Sequence, residues 1–257
     1  MKNHHLLTVA LMLATTTSQA AFNIYTDQAL WATNATATGN VLITEDFTDS
    51  TLNCSLTAVS DNGTVNGGHW VDIVDNDPRK TTDFNWDVPV FAVGGDWDLA
   101  NPGGPGTGIA LTAVIHSGGS EYIYEIPPTT TGFVGFTGDQ PIDKLEIRAG
   151  TQSGVQETYY LDNLQYTEVA SVLLDHDTCG VENHLITGDP QNCTVQDRVQ
   201  MASKTCTGEA INHGNYVSCF TSAMNELKKA TTISGAEKGA LTSCAARSSI
   251  AKPITDR

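Results

Sequence analysis

Asp96 and Asp98 flank Trp97 in the run Gly94-Gly-Asp-Trp-Asp98. Residues two apart in a strand share a face, so this spacing places two carboxylates together and the indole on the opposite side. Paired carboxylates, one an acid and one a base or nucleophile, are the working groups of glycosidases. As solvated surface the same pair needs no chemistry. Asp72, Asp75 and Asp77 stand just before Pro78 in a loose calcium-loop pattern that lacks the glycine and distal glutamate of an EF-hand, and they also read as a plain turn. Aromatic rings stack on the apolar faces of sugars. Trp70 follows the loop Asn66-Gly-Gly-His69 and is the best candidate for an exposed platform, with Trp97 second; the alternative for either is a place in the core. Phe84 and Trp86 alternate on one face and read as core. No nucleophile elbow, His-Glu-x-x-His helix or phosphate-binding Gly-Lys-Ser/Thr loop occurs in the sequence.

These residues need elements to position them, and the elements differ along the chain. From Ala21 to Glu168 there are 20 acidic residues against 4 basic ones, whereas from Val169 to Arg257 there are 9 against 8. Five of the six cysteines lie in the second stretch and only Cys54 in the first. Two regions built by different rules imply two domains, 21–168 and 169–257. The first 20 residues carry Lys2, an apolar run from Leu6 to Ala14 and a small-x-small site before Ala21, the pattern of a secretory signal peptide. No later apolar run is long enough to span a bilayer, so the expected product is secreted and has no membrane anchor. The net charge of -16 argues against nucleic acid.

Between Val41 and Thr167 helical periodicity is nearly absent. Short β-prone runs recur between Gly, Pro, Asn and Asp: Val41–Phe47, His69–Val74, Val90–Asp98, Gly108–His116, Tyr122–Ile126, Gly132–Thr137, Ile142–Ala149 and Thr158–Thr167. Such spacing predicts a β-sandwich or jelly roll. One short helix, Asp27 to Thr33, precedes them. The expected fold is mainly β, with a small disulfide-stapled α-helical domain at the C-terminus.

The segments Phe91-Ala-Val-Gly-Gly-Asp-Trp-Asp-Leu99, Gly132-Phe-Val-Gly-Phe-Thr-Gly-Asp-Gln-Pro-Ile142 and Tyr160-Leu-Asp-Asn-Leu-Gln-Tyr166 come in the order seen in secreted bacterial β-sandwich domains. The region resembles the domain often found in PEP-CTERM-type exported proteins. Its last segment resembles the final strand of jelly-roll carbohydrate-binding modules. That resemblance implies a structural calcium held by an Asp on the final strand and an acidic residue near the first, here Asp162 with Glu45 or Asp46. The excess of carboxylates fits a bound dication, which would relieve their mutual repulsion.

After Val169 the period becomes 3.6 residues. Thr194 caps a first helix from Val195, Asn212 a second with the stripe Tyr216, Val217, Phe220, Met224 and Leu227, and Ser234-Gly-Ala-Glu237 is the capping box of a third. The third helix has Leu241, Cys244 and Ala245 inward. The second and third form a hairpin about Thr231-Thr232, and Cys219 and Cys244 stand equally far from that turn, so they are expected to pair. Cys193 and Cys206 bracket the first helix, roughly 20 Å apart, beyond disulfide reach. They must seek other partners, with Cys179 and Cys54 available. This region resembles a cysteine-rich helical segment of exported proteins of environmental bacteria, on Asn212-His-Gly-Asn-Tyr-Val-Ser-Cys219 and the run Ser234 to Ser248. A Cys/His metal site is the rival reading, but the spacings match no standard zinc pattern.

The function expected from these readings is an exported, non-catalytic, calcium-stabilised β-sandwich that binds a glycan or an extracellular matrix component. The alternatives are an extracellular polysaccharide hydrolase using Asp/Glu pairs, and a self-associating structural subunit of a surface layer or filament.

Overall fold

The structure is a computed structural model that describes residues 22–75, 80–104, 107–150 and 156–252. The expected leader and Asp77 lie outside the described residues. The sandwich strands are β1 (Phe22–Tyr25), β2 (Val41–Glu45), β3 (Leu56–Val59), β4 (Thr64–Asn66), β5 (His69–Asp75), β6 (Thr82–Asp98), β7 (Leu111–Ser117), β8 (Ser120–Ile126), β9 (Thr131–Ala149) and β10 (Gln156–Glu168). A hairpin of β11 (Ser171–Leu174) and β12 (Asp177–Glu182) follows. Helix α1 (Gln28–Ala35) precedes β2, and α2 (Val195–Glu209), α3 (His213–Lys229) and α4 (Gly235–Arg247) complete the chain. The protein is mainly β, a sandwich followed by disulfide-linked helices, as the turn spacing predicts.

All sandwich strands pair antiparallel in the order β4-β5-β10-β6-β9-β7-β8, with β1 on β9, β2 on β10 and β3 on β6. Two strands are far longer than the sequence runs suggest: β6 has 17 residues and β9 has 19. Each belongs to both layers. Their early and late halves pair across a break, Phe84 opposite Leu145 on one side and Val93 opposite Phe136 on the other. The layers fold onto one core, where rings from unpaired strands meet. Trp70 of β5 packs edge-on against Phe84 of β6 at 5.7 Å, and Tyr124 of β8 against Phe136 of β9 at 5.6 Å. Helix α1 lies on the outer face, where Trp31 rests on Phe133 beside Ala92. Side chains at Gly94 and Gly135 would forbid this: an added Cβ would meet Phe133 Cζ at 2.5 Å and 2.8 Å respectively. A separate buried cluster including Val172, Val181, Val199, Phe220 and Leu241 fills the C-terminal region.

Helix boundaries follow their local signals. Thr194 and Ser234 each close a capping box, with Asp197 and Glu237, and Asn212 accepts from the amide of Asn215. Tyr216, Phe220 and Met224 are buried, as are Leu241, Cys244 and Ala245. The expected Cys219–Cys244 pairing is corrected. Cys206 bonds Cys219, Cys179 bonds Cys244, and Cys54 bonds Cys193. Equal distance from a turn fixes level along the hairpin but not direction around each helix. Cys219 sits beside the stripe that α3 buries and turns towards α2, whereas Cys244 turns towards β12, which packs on α4.

The outer face of the β6-β9-β7 layer is a charged ladder centred on Glu146. It receives Lys144 Nζ at 2.9 Å, His116 Nε2 at 2.9 Å and the guanidinium of Arg148, while Lys144 also reaches Asp83 at 3.0 Å. Burial alone would raise the Glu146 carboxyl, but the hydrogen bonds from Arg148, Lys144 and His116 prevail and lower it to about 2. Glu157 has the opposite fate, since enclosure in the sandwich pushes its carboxyl up to about 8.

Two outcomes follow. Glu146 has a depressed folded value, so its contribution is full above the ordinary carboxylate range and is lost as pH falls towards 2. Glu146→Gln should cost on the order of 2 kcal/mol at pH 7 and flatten the acid limb of the unfolding curve, read by urea denaturation from pH 7 to pH 2. Non-reducing peptide mapping should recover three linked pairs, 54–193, 179–244 and 206–219; a 219–244 peptide would overturn the helix orientations. The long 54–193 closure should matter most, about 5 kcal/mol in the chain-entropy treatment.

Candidate functional site

The ladder between β6 and β9 breaks at one place. Asn85 pairs with Lys144 and the next pair is Val90 with Ile142, so the four residues 86–89 stand against Asp143 alone. Pro89 and Pro141 border this break and neither has an N–H to give a ladder. The surplus residues leave the β9 ladder and bulge towards the C-terminal region, while Trp86 keeps its pairing with Leu56 of β3. Asp87 holds the edge through its amide to Ser55 O at 3.0 Å and its carboxylate to Lys204 Nζ at 3.3 Å.

The facing wall is built by β11, the turn after it and α2. Asp175 and His176 join β11 to β12 as a two-residue turn with φ of 54° and 69°. Both values are left-handed, as a tight hairpin turn of this kind requires. Asp175 accepts from the amide and hydroxyl of Ser249, which lowers its carboxyl below the ordinary range. Gln196 of α2 clamps β11, accepting from Leu173 N at 2.6 Å and donating to Leu173 O at 3.2 Å.

Between the walls lies a groove with two adjoining cavities. One, of about 510 Å³, is lined by Trp86, Asp87, Asp143, His176, Gln200 and Ser203 among others. The second, of about 460 Å³, continues past the shared Asp87, Val88 and Gln200 to Ser55, Gln191, Asp197 and Met201. Trp86 is half-buried, and its indole N–H has no hydrogen-bond partner. The Gln200 amide makes no hydrogen bond within the described residues. Among the described residues no lysine or arginine lines either cavity. The groove thus offers the exposed part of an aromatic ring, a free amide, an imidazole and carboxylates. A third cavity of about 530 Å³ lies by Asn23, Tyr25 and Phe91. Two of its three amides are committed to the fold, since Asn34 donates to Leu30 O at 2.8 Å and Asn40 to Ala35 O at 3.4 Å.

The residues singled out by sequence lie elsewhere. Trp70 and Trp97 are 6% and 2% exposed, so neither is a platform, and the expectation that they bind ligand is corrected. Trp70 points inward from β5 on the same face as Val74, and it is accommodated because residue 63 is glycine: a Cβ there would lie 2.1 Å from its ring. Trp97 does stand opposite the faces of Asp96 and Asp98, but its face is the core, where its indole donates to Val134 O at 3.3 Å.

The expected calcium ligands are not gathered. Glu45 pairs with Leu164, and its two oxygens accept from the amides of Phe47 at 2.8 Å and Asn53 at 2.6 Å. Asp46 accepts from the amide and hydroxyl of Thr48. Asp162 stands across from Asp96, beside His69 at 3.6 Å. Asp98 accepts from the amides of Ala100 and Asn101 and shapes the following loop. Among the described residues the one convergence of three metal-ligating side chains is Cys54, Asp189 and Cys193, of which two are joined as a disulfide.

Phe84 and Trp86 alternate on one face and are expected in the core: Phe84 is fully enclosed, and Trp86 packs against the same cluster with its ring 5.8 Å from that of Tyr166. What the alternation does not show is that Trp86 is only partly enclosed and also lines the groove, beside the ladder break that Pro89 marks.

No protein-family model and no curated protein matches the chain. Among solved structures it is similar to a family 29 carbohydrate-binding module from Piromyces equi, at 12% identity over 51% of this chain and 91% of that one, with a TM-score of 0.37. A point mutant of a family 29 carbohydrate-binding module aligns at 10% identity over 50% and 92% of the two chains, with a TM-score of 0.36. Another such mutant, complexed with mannohexaose, aligns at 9% identity over 50% and 92%, with a TM-score of 0.35.

Proposed function

We propose that the protein binds a glycan in the groove between the sandwich and the helices. The observation that carries this reading is Trp86, a half-buried ring that lines a groove of amide, hydroxyl and carboxylate groups. A sugar presents apolar C–H faces to a ring and hydroxyls to such groups. Three disulfides support an oxidising compartment, where extracellular glycans or matrix components are the available partners. No helix of the described residues is long and apolar enough to cross a membrane.

A glycan array on the oxidised protein, followed by calorimetry on the best binder, tests the reading. Trp86→Ala should weaken binding by about 1–3 kcal/mol, whereas Trp97→Phe, a change inside the core, should leave affinity unchanged. Unaltered affinity in Trp86→Ala would place the ligand elsewhere.

Calcium is a separate proposal that rests on the carboxylate excess of residues 21–168. A dication binding only the folded state would stabilise it by about 2.7 kcal/mol at a hundredfold excess over Kd. The melting temperature in calcium, magnesium and chelator decides, and an unchanged value retires the idea.

A further inference from the structure

Glu168 ends β10 and Asp197 stands in the first turn of α2, so the sandwich supplies one carboxyl and the helical wall of the groove the other. Their residues are 0% and 2% exposed. Thr194 Oγ1 lies between them, 2.6 Å from Glu168 Oε2 and 3.2 Å from Asp197 Oδ2. Every other donor to the pair is neutral. Asn183 Nδ2 and Ser55 Oγ each reach Glu168 at 3.3 Å, and the Thr194 amide reaches Asp197 Oδ2 at 2.7 Å. Asp197 Oδ1 is enclosed, and the Ser55 hydroxyl also interacts with the Asp197 carboxyl. No lysine, arginine or histidine forms an ion pair with either carboxyl among the described residues. The titratable groups around them are Tyr166 on the same strand, Glu45 on β2, and Asp87 with its Lys204 partner across the groove.

Two enclosed carboxyls that both contact one hydroxyl, with no cation beside them, do not both ionise at moderate cost. We propose that Glu168 and Asp197 share one proton and form a pH-dependent clasp between the two walls of the groove. Burial raises both groups, and the neighbouring Asp197 raises Glu168 further, in accord with this geometry. The unfolded chain releases the same proton near the ordinary carboxylate value, about 4.5. Between that value and the raised one the folded state holds the extra proton, so stability falls as pH rises through this window. Once the proton leaves, two adjacent negative charges push β10 and α2 apart. The Cys54–Cys193 bond, next in sequence to Ser55 and Thr194, keeps the walls tethered, so the loosening is local to the groove. The clasp itself is independent of any ligand, and only its consequence for binding rests on the glycan reading.

The test uses the full oxidised chain without ligand. The melting temperature is followed from pH 5 to pH 9 for the wild type and for Glu168→Gln, which keeps the shape and cannot ionise. The variant should melt above the wild type at pH 8 and show a flatter slope, with the residual slope coming from Glu157. Equal slopes in the two proteins would overturn the clasp. Carboxyl-carbon NMR on the wild type gives a second reading that needs no variant: a Glu168 titration midpoint in the ordinary carboxylate range would also overturn it. If a glycan has been found for the groove, its affinity should drop severalfold between pH 7 and pH 9 in the wild type and not in Glu168→Gln. Loss of the same size in both would separate binding from the clasp.

Discussion

β6 and β9 pair from Thr82 opposite Ile147 to Asp98 opposite Thr131, and nearly everything else in the sandwich hangs on that pairing. Each strand contributes to both layers, so its alternation must serve two faces in turn. Phe84, Leu145 and Ile147 point into the core from one half, and Val93, Trp97 and Phe136 from the other. A one-residue slip would exchange these with Asp83, Lys144 and Glu146 and bury the charged ladder. Register is therefore specified twice, by apolar burial inside and by ion pairing outside. The single interruption, where Pro89 and Pro141 deny the ladder its donors, is the place where the pairing yields a surface for something else.

The acidic composition has a structural use that a charge count conceals. Glu45, Asp46, Asp49, Asp98, Asp175 and Asp189 each accept a backbone amide close to a turn or loop. Carboxylates in such positions satisfy donors that no strand or helix partner reaches. The same residue type does opposite electrostatic work inside the molecule. Glu146 is held ionised by hydrogen bonds from Arg148, Lys144 and His116, while Glu157 and Glu168 are held neutral by enclosure. Partner chemistry decides which, and sequence shows the residue without the partner.

Local signals were the legible ones. The caps at Thr194, Asn212 and Ser234 act within four residues and appear where the sequence places them. So do the inward faces of α3 and α4. Strand existence was readable wherever a β-prone run met a turn signal. β1, β3 and β4, four residues or fewer, carry too little pattern to be seen, and they owe their conformation to the strands they join. The disulfides and the aromatic site depended on quantities no local window holds. Cys219 faces α2 because of how three helices pack, and Trp70 is buried because Gly63, seven residues away, leaves room for its ring.

The groove is where these nonlocal terms meet. Its walls come from β6 and from α2, more than a hundred residues apart in sequence, and each wall is backed by its own apolar cluster. Neither cluster reaches across, so what joins the walls is polar and covalent: the Lys204–Asp87 pair, the carboxyls around Thr194 and the Cys54–Cys193 bond. Polar joints are directional and sensitive to protonation, unlike apolar packing. A cleft joined this way opens or tightens without unfolding either core, because the disulfide limits the separation and the cores retain their own burial. The surface best suited to meet a ligand is thus also the seam with the least apolar reinforcement.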